Sequence, residues 1–154
     1  MGKFITSVHD HLILDARAMP TDKFRLVLQA EGRPIPAPVP IRLVIDTGSG
    51  RSSLIPSVIE QLNLSPRGST RVDTSIGSGR STLFAVRWEF PETGLCAIPK
   101  LLVARLGLPS SLRAFHGVIG RDVLSRWEYF RYEGRRRRLI IRDTPNRLLR
   151  WLTG

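Results

Sequence analysis

The sequence predicts a mostly β fold, and three observations carry that prediction. Short runs rich in β-branched and large apolar residues recur along the whole chain, broken by Gly, Pro and Ser. Few segments show the apolar period of a helix. The 154 residues are 42% hydrophobic and 24% charged, a composition that supports a buried core without a disulfide or metal staple.

Taken in order, the candidate strands are residues 4–8, 11–16, 24–28, 41–45, 70–76, 82–90, 101–105, 117–119, 129–133 and 139–142. Two short helices are expected. One covers residues 56–62, with Ser53 or Ser57 near its start and Pro56 in its first turn. The other follows Gly120, over residues 121–127. The segment 32–40, G-R-P-I-P-A-P-V-P, is expected to be a stiff surface connector, because closely spaced prolines cannot join a sheet interior. The alternative is a short extended ligand for another protein. Beyond residue 143, Leu148, Leu149, Trp151 and Leu152 alternate with Arg147 and Arg150 in the pattern of an amphipathic tail helix. The whole of residues 1–154 is read as one domain, with no internal repeat.

The basic residues outnumber the acidic ones by 24 to 13, and 21 of the 24 are arginine. The densest run, Arg135-Arg136-Arg137-Arg138, offers contacts to phosphates or to an acidic membrane surface. Its context favours a solvated hairpin tip, since it follows Glu133-Gly134 and precedes the strand at 139–142. Nucleic acid is therefore not expected as the main partner, and no membrane association is expected. The N-terminus lacks the continuous apolar core of a signal peptide, which places the protein in the cytoplasm as an expectation. Cys96 is the only cysteine, so multi-cysteine metal sites and an internal disulfide are excluded. It is expected to be a small buried hydrophobe. His9, His11 and His116 do not form a credible metal set, and no cofactor is expected.

The most informative segment is Leu43-Val44-Ile45-Asp46-Thr47-Gly48-Ser49-Gly50, where a strand of large apolar residues ends abruptly in a carboxylate, a hydroxyl and small residues. Gly48 and Gly50 permit a tight turn that leaves the carboxylate facing a cleft. Read alone, the segment is equally good turn chemistry. A second segment, His116-Gly117-Val118-Ile119-Gly120-Arg121-Asp122-Val123-Leu124, places an apolar pair before a glycine and a helix start. Between them lies Thr74-Ser75-Ile76-Gly77-Ser78-Gly79-Arg80-Ser81, a glycine-bearing turn 30 to 33 residues after Asp46 at its centre.

Together these segments resemble the retropepsin-like aspartic proteases, whose signature is an apolar strand into D-T-G-S or D-T-G-A, a flap hairpin, and then apolar-apolar-G before a short helix. The resemblance covers residues 24–142, and Tyr129 to Arg142 resembles the closing hairpin of the cellular members. It implies a single-domain, barrel-like retropepsin fold with a flap hairpin, assembled as a homodimer. It also implies that Asp46 is the catalytic carboxylate, that Thr47 hydrogen-bonds across the dimer axis, and that Gly48 lets substrate approach. Ser49 and the flap residues Ile76, Gly77, Ser78 and Gly79 would bind substrate, and Gly120 would let two backbones meet. As a hypothesis, the Ser49 hydroxyl donates to the outer oxygen of Asp46.

The chemistry explains the dimer. Hydrolysis by this route takes two carboxylates sharing one proton, one acting on water and the other on the scissile carbonyl. The chain has one D-T-G; Asp73-Thr74 and Asp143-Thr144 lack the glycine of a catalytic loop. Two copies must then each supply Asp46. Viral members usually carry an acid after D-T-G that pairs with the arginine of the second motif, whereas this chain has Ser49-Gly50-Arg51-Ser52-Ser53, so Arg121 is expected to lack its partner. The function expected is an aspartic endopeptidase acting on polypeptides. The rival class is a catalytically silent binding module of the same fold, taking peptides or nucleic acid through its arginines.

Overall fold

The structure, a computed structural model, describes residues 2–74, 77–109 and 112–143. Its strands are β1 (Gly2–Ser7), β2 (Ile13–Met19), β3 (Val39–Ile45), β4 (Ser53–Leu54), β5 (Pro66–Thr74), β6 (Gly77–Glu89), β7 (Ile98–Arg105), β8 (Gly117–Ile119), β9 (Tyr129–Glu133) and β10 (Arg138–Asp143). Three short helices accompany them: α1 (Asp22–Ala30), α2 (Pro56–Gln61) and α3 (Arg121–Leu124). The chain is mostly β, as its sequence predicts. No helix among the described residues is long and apolar enough to cross a membrane. The expected tail helix lies outside the described residues.

Strands β2, β3, β8, β4, β7 and β6 pair in that order, and β6 pairs back onto β2 through Arg17, Ala18 and Met19, closing the sheet on itself. Closure removes free edges. Strand β5 stays outside the ring, paired with β6 as a long hairpin. Period-two patterning explains why these strands face as they do. Leu14, Ala16 and Ala18 of β2 and Ile41, Leu43 and Ile45 of β3 point inward, while Asp15, Arg17 and Arg42 point out. A second sheet, β1-β10-β9, is antiparallel and packs Leu139 and Ile141 into the same core cluster as the ring's Leu43, Trp88 and Ile119. At its end, Gly2 lies so close to the Gly94 carbonyl that no Cβ fits there. The buried Asp143 carboxylate accepts from the Cys96 backbone N–H at 2.8 Å, a structural role for an acid outside the motif loop. Cys96 itself is half-buried rather than part of the core.

Three expectations are corrected. Residues 24–28 form not a strand but the middle of α1. The alternation Phe24, Leu26, Leu28 suggests period two, yet Leu26 is 66% exposed while Phe24 and Leu28, one helical turn apart, are buried. Thr21 supplies the cap, its Oγ1 accepting from the Phe24 N–H at 3.3 Å. The connector at 32–40 gives its last two residues to β3. Pro40 is tolerated there because β3 gains its second neighbour, β8, only at Leu43. Helix α2 begins at Pro56 as expected, but Ile55 holds the cap position and Ser53 belongs to the short strand β4, which the sequence does not reveal.

The arginine run lies on the β9–β10 hairpin, whose turn is a short 3-10 segment (Gly134–Arg136) followed by Arg137 at φ 45°. Glu133 gathers this charge. It accepts from Arg138 at 2.6 Å and faces Arg131 at 3.1 Å and Arg136 at 3.9 Å. The Arg138 hydrogen bond, followed by the nearby guanidinium charges, holds the Glu133 carboxyl below its ordinary range. A lowered folded-state value means that the contribution to stability is present above the unfolded carboxyl range and fades as the pH falls through the folded one. Glu133→Gln is therefore expected to lower the melting temperature at about pH 7 and to leave it unchanged at about pH 2, below the carboxylate range, as thermal denaturation followed by circular dichroism would show.

Candidate active site

Strand β3 delivers Asp46 to the end of the ring, where the Asp46 N–H donates to the Ile119 carbonyl of β8 at 3.0 Å. The chain then turns at once. The Gly48 N–H donates to Asp46 Oδ1 at 2.9 Å and the Ser49 N–H to the Asp46 carbonyl at 3.2 Å. Asp46, Thr47 and Gly48 are exposed in the single chain, and the Thr47 side chain has no hydrogen-bond partner among the described residues. Ser49 is half-buried, and its hydroxyl donates to the Arg51 carbonyl at 2.7 Å. This corrects the expected contact with Asp46: the side chain turns into its own loop, and the N–H of Gly48 takes the carboxylate oxygen instead.

The second motif locks this loop in place. Ser52 is fully buried; its hydroxyl donates to Asp122 Oδ1 at 2.7 Å and accepts from the Gly120 N–H at 2.9 Å. The Ser52 N–H donates to both oxygens of Asp122 at 3.0 Å, and the Val123 N–H adds a further bond to Oδ1 at 3.0 Å. The Arg121 N–H donates to the Ser49 carbonyl at 2.8 Å. Gly120 is required by this crossing, since a Cβ there would lie 2.7 Å from the Arg51 carbonyl carbon and 2.9 Å from two carbonyl oxygens. Arg121 also has a partner after all: its Nη1 donates to the Thr47 carbonyl at 2.8 Å. A backbone oxygen takes the guanidinium where no acid follows the D-T-G.

Ser52 and Asp122 escape sequence reasoning because nothing in their local segments marks a pair 70 residues apart. The one available signal is a small polar residue soon after the D-T-G-S and an acid immediately after the Gly-Arg of the second motif.

The loop forms one wall of a cleft of about 400 Å³, lined by Gly48, Ser49, Gly50, Arg51, Arg121 and, from β5, residues 70–73. Gly77, Ser78 and Gly79 begin β6 and pair with Thr74, Asp73 and Val72; they line an adjoining cavity of about 350 Å³ rather than this cleft. Val72 and Leu106 border both. Ile76 lies outside the described residues. The histidines have other surroundings. His116 Nδ1 accepts from the Arg42 N–H at 2.9 Å, His11 packs edge-on against Phe115, and His9 and His11 line a separate cavity of about 430 Å³. Among the described residues, no three side chains are grouped to hold a metal ion.

The crystal structure of a retropepsin-like aspartic protease from Rickettsia conorii is similar to this chain, with a TM-score of 0.58 at 14% sequence identity, over 91% of this chain and 90% of that one. No protein-family model and no curated protein matches the chain. The likeness shows a shared fold, a mostly β architecture with a few short helices.

The clamp yields a stability prediction. Gly120→Ala forces the crossing loops apart and is expected to cost about 2–3 kcal/mol, in the range of overpacked buried sites. Asp122→Ala strands the buried Ser52 N–H and hydroxyl and is expected to cost about 1–3 kcal/mol. Urea denaturation of each variant beside the parent protein measures both.

Proposed function

We propose that this protein is an aspartic endopeptidase that works as a homodimer, with Asp46 of each copy meeting at the two-fold axis. The observation that carries the proposal is the Asp46 loop itself: an exposed carboxylate at the end of an apolar strand, on a loop that walls a cleft and is fixed by a buried clamp, in a fold similar to that of a retropepsin-like protease. Each chain holds one such carboxylate on one such loop. The second copy supplies the other half.

In this reading the two carboxylates share one proton, because like charges at hydrogen-bond distance do not both ionise. The ionised one takes a proton from a water molecule as the water oxygen attacks the scissile carbonyl carbon. The protonated one donates to the carbonyl oxygen, giving a neutral tetrahedral diol. The carboxyl that took the water proton then returns it to the amide nitrogen while the other carboxylate takes a proton from a diol hydroxyl; the C–N bond breaks, a carboxylic acid and an amine leave, and the pair again shares one proton. The Gly48 N–H on Asp46 Oδ1 fixes the carboxylate plane for these transfers. The exposed Thr47 hydroxyl serves the contact across the axis, and Gly48 leaves room for the peptide backbone. The β5–β6 hairpin acts as the flap, with Gly77, Ser78 and Gly79 closing over bound substrate. Extended peptide would then lie between flap and dyad, held through its backbone.

Digestion of a mixed peptide library from the ordinary carboxylate range up to neutrality, about pH 4 to 7, tests this reading. The parent protein is expected to cut and Asp46→Ala to be inactive, with products read by mass spectrometry. Cutting by both proteins, or by neither while both stay folded, would overturn it. Sedimentation is expected to give twice the 17.3 kDa chain mass where activity is found. Adding excess Asp46→Ala chain to the parent protein is expected to suppress activity, since mixed dimers hold a single carboxylate.

A further inference from the structure

The cleft beside Asp46 carries more positive charge than its own residues neutralise. Three guanidinium groups line it, from Arg51, Arg71 and Arg121, against one carboxylate, Asp73. Asp73 is engaged by Arg71, whose Nε donates to it at 3.1 Å. Arg51 and Arg121 have no carboxylate partner among the described residues. Each makes one side-chain hydrogen bond, to a backbone carbonyl: Arg51 Nη1 to Leu102 at 3.2 Å and Arg121 Nη1 to Thr47 at 2.8 Å.

A guanidinium has five N–H donors in a planar fork suited to a carboxylate, and among the described residues each of these two uses only one. Arg51 is half-buried and lines the cleft with no counter-ion among the described residues, an arrangement that a ligand carboxylate would complete. The backbone bonds hold both heads against the cleft wall; Arg121 Nη2 would be 3.4 Å from a Cβ on Gly50. Ser53, 2% exposed, also lines this cleft, and its hydroxyl has no hydrogen-bond partner. Some arginines elsewhere do meet a carboxylate, Arg105 with Glu60, Arg42 with Asp15 and Arg87 with Asp22 and Glu89, whereas Arg126, like the two in the cleft, donates to a backbone carbonyl.

We infer that this cleft is a subsite for an acidic side chain, Asp or Glu, close to the bond that is cut, and that Arg51 is its specificity-determining residue with Arg121 beside it. The inference rests on the endopeptidase reading for its placement next to a scissile bond. Apolar Val72, Ala104 and Leu106 complete the lining and suit the methylene portion of such a side chain.

The test uses peptides blocked at both ends, so that no terminal carboxylate competes, carrying Glu, Gln or Lys in turn at each of three positions on either side of a cut site. The parent enzyme is expected to favour Glu over Lys by about tenfold or more in kcat/KM at one of these positions, since juxtaposed like charges are strongly disfavoured. Arg51→Glu is expected to reverse that preference at the same position, and Arg51→Lys to keep it. Should Arg51→Glu fail to fold, Arg51→Gln carries the comparison by losing the preference that Arg51→Lys retains. A second arm measures binding of the same peptides, fluorescently labelled, to Asp46→Ala and to Asp46→Ala/Arg51→Glu, and so reads the subsite without catalysis. Peptides cut with no charge preference, or with one that Arg51 variants do not move, would overturn the subsite and leave the endopeptidase standing. Discrimination in binding that reverses with Arg51→Glu, without cleavage by any protein, would support the subsite and overturn the endopeptidase.

Discussion

Everything at the candidate site depends on one buried contact, the meeting of Ser52 with Asp122 over Gly120. A loop leaving a strand at a carboxylate has no intrinsic reason to stay put, because its own hydrogen bonds are two short turns around Asp46 and Ser49. Rigidity comes from the other segment. One carboxylate, Asp122, accepts from two backbone N–H groups and a hydroxyl, and that hydroxyl accepts in turn from Gly120. Such a network is valuable when every member is satisfied, as here, and costly when one is lost. It also requires a glycine, since the backbones cross too closely for any side chain.

The ring of strands explains why the clamp forms where it does. Strand β8 is three residues long and lies between β3 and β4, so it pairs with the strand that leads into Asp46 and with the one that begins just after Ser52. The motif loop is the connection between those two neighbours. It must therefore arch over the end of β8, and the residue following β8 is Gly120. Topology sets the crossing, and the sequence supplies a residue small enough to allow it. The long β5–β6 hairpin leaves the same ring with β5 at the end of the sheet, paired only with β6, and β5 residues 70–73 line the cleft.

How much of this was legible in the sequence follows the range of the interactions involved. The apolar strand into Asp46-Thr47-Gly48 and the apolar pair Val118-Ile119 before Gly120 are patterns of consecutive residues, and both form strands where the sequence puts them. Strand β4 has two residues and exists because β7 and β8 flank it, a cause absent from its own segment. Helix α1 misleads because Leu26 and Val27 are apolar yet exposed, which makes a one-sided helix resemble an alternating strand. The Thr21-Asp22 cap was the local sign of the truth. The orientation of the Ser49 hydroxyl and the partner of Arg121 are choices between nearby acceptors, decided by loop geometry that no spacing rule encodes.

The charge of the chain bears on both proposals at once. Two copies at +11 repel each other, and that repulsion is screened beyond about 8 Å at physiological salt but not in close contact. On the proposed arrangement, the least screened part is the cleft, where Arg51 and Arg121 of each copy face inward with no carboxylate of their own. A bound peptide carrying an acidic side chain would neutralise charge at the place where dimer formation concentrates it. Substrate binding and assembly are then thermodynamically linked: whatever binds the dimer better than the single chain shifts the equilibrium toward the dimer. The same unpaired arginines that select the ligand would make the assembled, cutting form depend on its presence.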